Sequence, residues 1–527
     1  MSASESSSNG GDQKPMLASQ RVKQSGSPKI HAGYFPLGYK AAVSQWWASI
    51  SPAVAEHNVM AFIPYLQKPP THTQTGSAPV SAHQSNSSLN TTVNSAPEAL
   101  AKPVRTNSIN DPHGPRSWHS NLINLSGKNR ALNEFSVQRD GEEVEENLVM
   151  LHGYGAGLGF FYRNFEGLSR VKGWKIYALD MLGMGRSSRP PFRVLAKDQA
   201  GKITEAENWF IDALEEWRVL KKIDKFTLLG HSMGGYMAVA YALKYPGHLN
   251  KLILASPVGI PEDPYATQAA MPEPEDSTMA NEFIQDQEDD IVNQNGRLKT
   301  NGDNNNFLNA RSKGDAKKSS SGEPPRKPLP KWLTYLWDAN ISPFSVVRWA
   351  GPLGPRFVSG WTSRRFSHLP GNESEALHNY AYSLFRQRGS GEYALAYILA
   401  PGAFARSPLI RRIQGVGRQP LPPPQQATSS PAEVLSKETG IPIVMMYGEH
   451  DWMDVAGGFA AEQKLKEEKV KALKAATEAE RKRENGSAKV IIIQKAGHHV
   501  YLDGWEEFNE IMREEMEDTK RQSKERA

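Results

Sequence analysis

Short runs of strand length recur along this chain at residues 132–137, 147–151, 174–179, 226–229, 252–255, 442–446 and 490–493, the first mixed (Leu132-Asn133-Glu134-Phe135-Ser136-Val137) and the rest predominantly apolar. Each is long enough for a strand and too short for a helix, and polar turns or longer helical stretches separate them. Runs without alternating polar positions belong to strands buried on both faces, so the pattern predicts a mostly parallel sheet covered by helices. Residues 235–243 predict a helix directly behind the fourth run. Residues 53–66 predict another, with Ser51 as N-cap and Pro52 at the first helical position. Residues 460–486 read as one solvated helix rich in Lys, Glu and Ala, with pairs such as Glu462–Lys466.

The same pattern divides the chain. A Ser-rich stretch at 1–33 reads as disordered, followed at 34–67 by a tryptophan-bearing segment and at 68–116 by a disordered linker. Residues 117–260 form the first half of an α/β core. An insertion follows, disordered at 261–330 and folded into a lid at 331–413. A Pro-rich linker at 414–435 returns the chain to the second half of the core at 436–520.

Composition narrows the chemistry. Hydrophobic content of 39% suits a folded core diluted by polar segments, and a net charge of +5 over 527 residues gives no argument for nucleic acid. There is no cysteine, which removes disulfides, thiolate nucleophiles and zinc–thiolate centres together. No run approaches the roughly 18 apolar residues needed to cross a bilayer. No motif calls for a metal or an organic cofactor.

The chemistry lies where the strands end. Gly230-His231-Ser232-Met233-Gly234 closes the run at 226–229. A G-x-S-x-G sequence between strand and helix lifts a serine onto a sharp turn, at a helix N-terminus whose partial positive charge favours an oxyanion. His152-Gly153-Tyr154-Gly155-Ala156-Gly157 follows the run at 147–151. The N–H groups of Tyr154 and Met233 are the expected oxyanion donors. A phosphate loop is the competing reading, but the tract lacks a Lys-Ser/Thr ending and does not match G-x-G-x-x-G. Gly448 to Asp454 follows the run at 442–446 and supplies the acid, Asp451 first and Asp454 in reserve. His498 follows the last run as the base. The order Ser232…Asp451…His498 is that of a serine-hydrolase triad. His498 and Asp503 also form a His-x4-Asp spacing suited to deprotonating a lipid alcohol. Asp180, before Gly183-Met184-Gly185-Arg186-Ser187, reads as a loop-fixing carboxylate, and His231 and His499 as packed structural residues.

Trp46, Trp47, Trp332 and Trp337, with Trp349 and Trp361 among Arg and Lys, suit contact with a lipid surface, because indole rings settle at headgroup depth. Ordinary packing within a lid is the alternative.

Taken together, these tracts resemble one branch of the α/β hydrolases. It contains the lipid-droplet coactivator of adipose triglyceride lipase, the N-acyl-phospholipid lipase and the yeast cardiolipin-specific deacylase. The resemblance rests on residues 152–157, 179–188, 230–234, 352–355, 448–454 and 498–503, and the Trp46-Trp47 region is similar to the branch's membrane-targeting segment. It implies an α/β-hydrolase fold, a phospholipid acyl substrate at a membrane surface, no cofactor, and a peripheral mitochondrial location, with cytoplasm or lipid droplet as alternatives. Coactivator members carry Asn at the position of Ser232, so the serine groups this chain with hydrolytic members. Three functions follow as expectations: a phospholipase A-type deacylase, a lysophosphatidic acid acyltransferase using His498 and Asp503, or a non-catalytic scaffold for a lipase.

Overall fold

The computed structural model describes residues 36–65, 104–105, 111–262, 340–366, 368–400, 404–421 and 437–526. The segment 1–33, most of the linker at 68–116, all of the insertion beyond 262 as far as 339, and most of the Pro-rich linker lie outside these residues. Trp332 and Trp337 do as well.

Two helices come first, α1 (Tyr39–Ala48) and α2 (Pro52–Met60). The Ser51 hydroxyl accepts the Val54 N–H at 3.3 Å, the expected N-cap. The helix stops earlier than its apolar spacing suggests, because Pro64 disfavours helical backbone just before it. A two-residue strand β1 (Val104–Arg105) and then β2 (Arg116–Asn124), β3 (Ala131–Arg139) and β4 (Glu146–Leu151) lead to α3 (Tyr162–Leu168) and β5 (Trp174–Leu179). The long α4 (Gln199–Leu220), β6 (Phe226–His231), α5 (Met233–Lys244) and β7 (Leu249–Ala255) complete the first half of the core. The cap contributes α6 (Pro343–Trp349), α7 (Gly354–Arg365), α8 (Gly371–Phe385) and the single turn α9 (Leu395–Ile398). The chain returns through β8 (Pro442–Gly448), α10 (Val455–Ala475), α11 (Glu478–Arg483), β9 (Ser487–Ile493), α12 (Val500–Asp503) and α13 (Trp505–Arg526).

The strands form one sheet in the order β1-β2-β3-β5-β4-β6-β7-β8-β9. The first three pairings are antiparallel and the rest parallel. Residues on the central strands alternate between two cores. Val149, Leu151, Leu228, Leu252 and Met445 face one side, with Phe210 and Trp217 of α4 and Tyr236 of α5. Leu148, Met150, Leu229, Ile253 and Met446 face the other, with Phe165 of α3 and Phe508 and Met512 of α13. Burial on both faces explains why these strands read as unbroken apolar runs.

Three elements escaped the hydrophobic pattern. β2 is polar and largely half-exposed, so it carries no apolar run. The expected single helix at 460–486 is two helices, because Ala476 is extended and Thr477 with Glu480 forms a capping box that restarts the chain. Helix α1 was marked only by its tryptophans.

Candidate active site

Ser232 sits between β6 and α5 with φ 53° and ψ −117°, a conformation that costs a non-glycine residue on the order of 1–3 kcal/mol. The surroundings hold it there. Its N–H donates to the Ala255 carbonyl at 3.0 Å, and its own carbonyl accepts the N–H groups of Gly235, Tyr236 and Val258 at 3.0, 3.2 and 3.2 Å. The flanking glycines are sterically required: a Cβ on Gly230 would lie 2.3 Å from the Gly234 carbonyl oxygen, and one on Gly234 2.6 Å from that of Leu151. No described residue hydrogen-bonds the Ser232 hydroxyl, although the residue is only 4% exposed.

His498 comes to the same place from the loop after β9. Its Nδ1 lies 3.1 Å from Oδ1 of Asp451, and both residues are buried. The same Oδ1 accepts the Met453 N–H at 3.0 Å, which fixes the carboxylate. The His498 ring packs 4.8 Å from Trp452 and 4.8 Å from His231, the residue before Ser232. His231 Nε2 donates to the His498 carbonyl at 3.0 Å and so ties the His498 backbone to the elbow. Burial, reinforced by His498, holds His231 well below the usual histidine pKa, so it stays neutral.

The loop after β4 closes the third side. A Cβ on Gly153 would lie 2.8 Å from His231 Nδ1 and 3.0 Å from Ser232 Cβ, so its backbone rests directly against the elbow. His152 holds the loop's entrance: its Nδ1–H donates to the Gly153 carbonyl at 2.7 Å and its Nε2 accepts the Met181 N–H at 3.1 Å. Burial pushes its pKa down to about 4, which keeps the donor–acceptor tautomer at neutral pH. The loop's far end is held by Asp180, which accepts the Leu158 and Arg186 N–H groups at 2.7 Å each. The N–H groups of Tyr154 and Met233 donate to no other described residue. Two such donors beside a strained serine can stabilise an oxyanion. The Tyr154 ring stacks on Phe344 of α6 at 5.0 Å, and Phe344 on Phe385 of α8 at 4.4 Å, so the cap closes over the loop.

The profile of the alpha/beta hydrolase fold matches residues 146–504, which span every one of these loops. The chain belongs to the α/β-hydrolase family. Among related proteins, a probable 1-acylglycerol-3-phosphate O-acyltransferase of Oryza sativa subsp. japonica is 31% identical over 374 residues, 70% of this chain and 66% of its own length. The chain thus spans just under two thirds of that relative. A 1-acylglycerol-3-phosphate O-acyltransferase of Arabidopsis thaliana is 30% identical over 384 residues, 72% of this chain and 68% of its own length. The (lyso)-N-acylphosphatidylethanolamine lipase of Homo sapiens is 27% identical over 372 residues, 70% of this chain and 78% of its own length. This α/β hydrolase therefore has relatives named both as lipid acyltransferases and as a lipase.

The remaining sequence candidates separate by geometry. Asp454 is the N-cap of α10 and accepts the Ala456 N–H at 3.0 Å, while Asp451 alone of the two reaches His498. Asp503 accepts the Gly497 N–H at 3.1 Å and lies 3.3 Å from His368 Nε2; it makes no hydrogen bond to His498. The His-x4-Asp spacing thus brings an aspartate under the loop that carries the histidine, not onto its ring. Trp46 is half-buried and Trp47 is 81% exposed on α1, whereas Trp332 and Trp337 lie outside the described residues. Glu56, Asn133, Arg186 and Tyr380, which surround Asp180, went unnoticed in the sequence except for Arg186 within the Gly-Arg-Ser-Ser tract. A lone Glu on a short helix carries no local signal.

Proposed function

We propose that this α/β hydrolase is a serine hydrolase that deacylates phospholipids, with cardiolipin or a related anionic phospholipid as substrate. The observation that carries the reading is the strained Ser232 elbow facing two undonated N–H groups and an Asp451-held imidazole. In the first half-reaction the His498 Nε2 takes the Ser232 proton as the serine oxygen attacks the acyl carbonyl. The N–H groups of Tyr154 and Met233 hold the resulting oxyanion. His498 then returns the proton to the departing glycerol oxygen, which leaves as a lysophospholipid, and Ser232 keeps the acyl chain. Water activated by His498 attacks that ester and releases the fatty acid and Ser232. Asp451 holds the imidazole tautomer throughout.

The acyltransferase names of the plant relatives favour a second reading of the same site, in which a lysophospholipid hydroxyl replaces water as acyl acceptor. Both readings share the acyl-enzyme and differ only in the second half-reaction.

A lipid surface supplies the substrate in either case. Tyr39, Val43 and Trp47 expose one face of α1, Ile50 is exposed just after it, and Val346, Trp349, Leu353 and Phe357 are exposed on the cap. The two groups are neighbours: Arg356 of α7 lies over the Tyr39 ring at 4.4 Å and donates to the Leu37 carbonyl at 2.7 Å. An apolar face with cations at its rim suits an anionic interface. Among the described residues no helix is long and apolar enough to cross a membrane. The reading predicts that Ser232→Ala abolishes fatty-acid release from phospholipid vesicles while vesicle binding persists. Unchanged release would contradict it.

A further inference from the structure

The helices that present Trp47 also reach into the core. Ala55, Glu56, Val59 and Met60 of α2 are buried, and Glu56, 3% exposed, points among groups that hold the loop after β4. One of its carboxylate oxygens accepts the Arg186 guanidinium at 2.5 Å, and the other accepts the Tyr380 hydroxyl at 3.2 Å and the Asn133 amide at 3.1 Å. The same Asn133 amide donates to Asp180 at 2.7 Å, and the Arg186 N–H donates to Asp180 at 2.7 Å. Tyr380, a partner of Glu56, and Asp180, joined to Glu56 through Asn133 and Arg186, then touch the loop. Tyr380 accepts the Gly159 N–H at 3.3 Å, and Asp180 accepts that of Leu158. A Cβ on Gly157 would lie 2.4 Å from the Tyr380 hydroxyl and 3.1 Å from Asp180, so the loop is seated against both groups.

Glu56 and Asp180 thus share the Asn133 amide, and both bond Arg186, Glu56 through its guanidinium and Asp180 through its backbone N–H, with both carboxylates buried. Burial raises the pKa of each, and Arg186 opposes the shift at Glu56. Removing the charge of Glu56 leaves Arg186 with Asp180 as its nearest acid. It also takes from Tyr380 the acceptor that aims its hydroxyl at the loop.

We infer that Glu56 is a positioning residue for the oxyanion loop, so that the N-terminal helix pair is part of the catalytic apparatus and not only a means of reaching the lipid. The inference rests on the serine-hydrolase reading above. It sets this chain apart from an enzyme whose membrane segment is a detachable anchor: loss of Glu56 lowers turnover even on a short-chain ester in free solution, where docking plays no part.

The test uses the full chain and its Glu56→Gln and Tyr380→Phe variants, with thermal unfolding recorded for each. Two readouts are taken: the rate of Ser232 capture by a fluorophosphonate, and kcat and KM on a soluble p-nitrophenyl ester. Glu56→Gln is expected to slow capture and kcat together by roughly tenfold to a hundredfold at unchanged KM, the size expected when donors shift by a fraction of an ångström. Tyr380→Phe, which removes only a hydroxyl, is expected to lower the same two quantities in the same direction, and the double variant to add little. Capture and kcat at the wild-type level in both folded variants would overturn the inference while leaving the hydrolase reading intact. Absence of capture in the wild type would instead overturn the hydrolase reading, and the inference with it.

Discussion

His498 meets Asp451 at 3.1 Å through Nδ1, although 47 residues and two charged helices separate them in the chain. The contact exists because β8 and β9 are parallel neighbours whose carboxyl ends lie side by side, so the loops that follow them converge. Asp454, three residues further on, has already turned away to cap α10.

The two aspartates should therefore behave differently. Asp451→Asn is expected to lower kcat by on the order of 10⁴, the loss typical when a triad imidazole is left in the wrong tautomer. Asp454→Ala should cost about 1 kcal/mol of stability through the lost cap and leave kcat near wild type. Steady-state hydrolysis of a soluble ester, with denaturant melts alongside, separates the two.

Asp503 offers a second contrast. Because it holds the Gly497 N–H and not the His498 ring, Asp503→Asn should leave fluorophosphonate capture within a few-fold of wild type. Any acyl transfer to a lysophospholipid should then depend on Ser232 far more than on Asp503. Transfer that survives Ser232→Ala and fails in Asp503→Asn would reverse the assignment.

Gly153 has no room for a side chain. Its Cβ would press on His231 and on Ser232 itself, so Gly153→Ala is expected to reduce kcat by more than about tenfold. The folded state should survive, because the displacement is local. Capture kinetics on the variant check this.

Acid stability follows from buried histidines, among them His152 and His378 and also His231, which burial and then His498 hold well below the usual value. Burial holds His152 at about 4 and His378, within α8 under the N-terminal helices, at about 3. Below the ordinary value of 6.5 the unfolded chain binds these protons and the folded chain does not. Stability is thus fully present above pH 6.5 and falls by roughly 1.4 kcal/mol per pH unit for each histidine as the pH drops toward 4. Urea melts between pH 7 and 4.5 measure the slope. His378→Gln should remove one proton's worth of it, since Thr362 and Gln45 can still bond an uncharged side chain.

The exposed indoles predict a binding phenotype without a chemical one. Trp47→Ala and Trp349→Ala should each weaken binding to anionic vesicles by about tenfold, near 1.4 kcal/mol, and leave turnover of a soluble ester unchanged. Vesicle co-sedimentation with the ester assay tests both halves.

Ser232 and the loop at 152–157 were legible in the sequence because each follows a buried strand directly, and a strand that ends in glycine and a reactive side chain announces itself locally. The parallel sheet was legible for the same reason. His498 was legible from the glycine and histidine tract after the apolar run of the half-buried β9. Asp451 and Asp454 are equivalent at that level; only the start of α10 distinguishes them. β2 stayed hidden because a strand near the sheet's edge and half in water needs no apolar run, and the break at Thr477 because charge pairing looks alike on one helix or two. Glu56 lay deepest. Its meaning comes from Arg186, Tyr380 and Asn133, drawn from three distant parts of the chain and brought together only by packing.

The most direct test is capture of the purified chain by a fluorophosphonate, followed by peptide mapping and by fatty-acid release from phospholipid vesicles. A single adduct on Ser232, with release abolished in Ser232→Ala, is the predicted result. Release that persists in Ser232→Ala, or an adduct that forms elsewhere while Ser232 stays unmodified, would contradict the account.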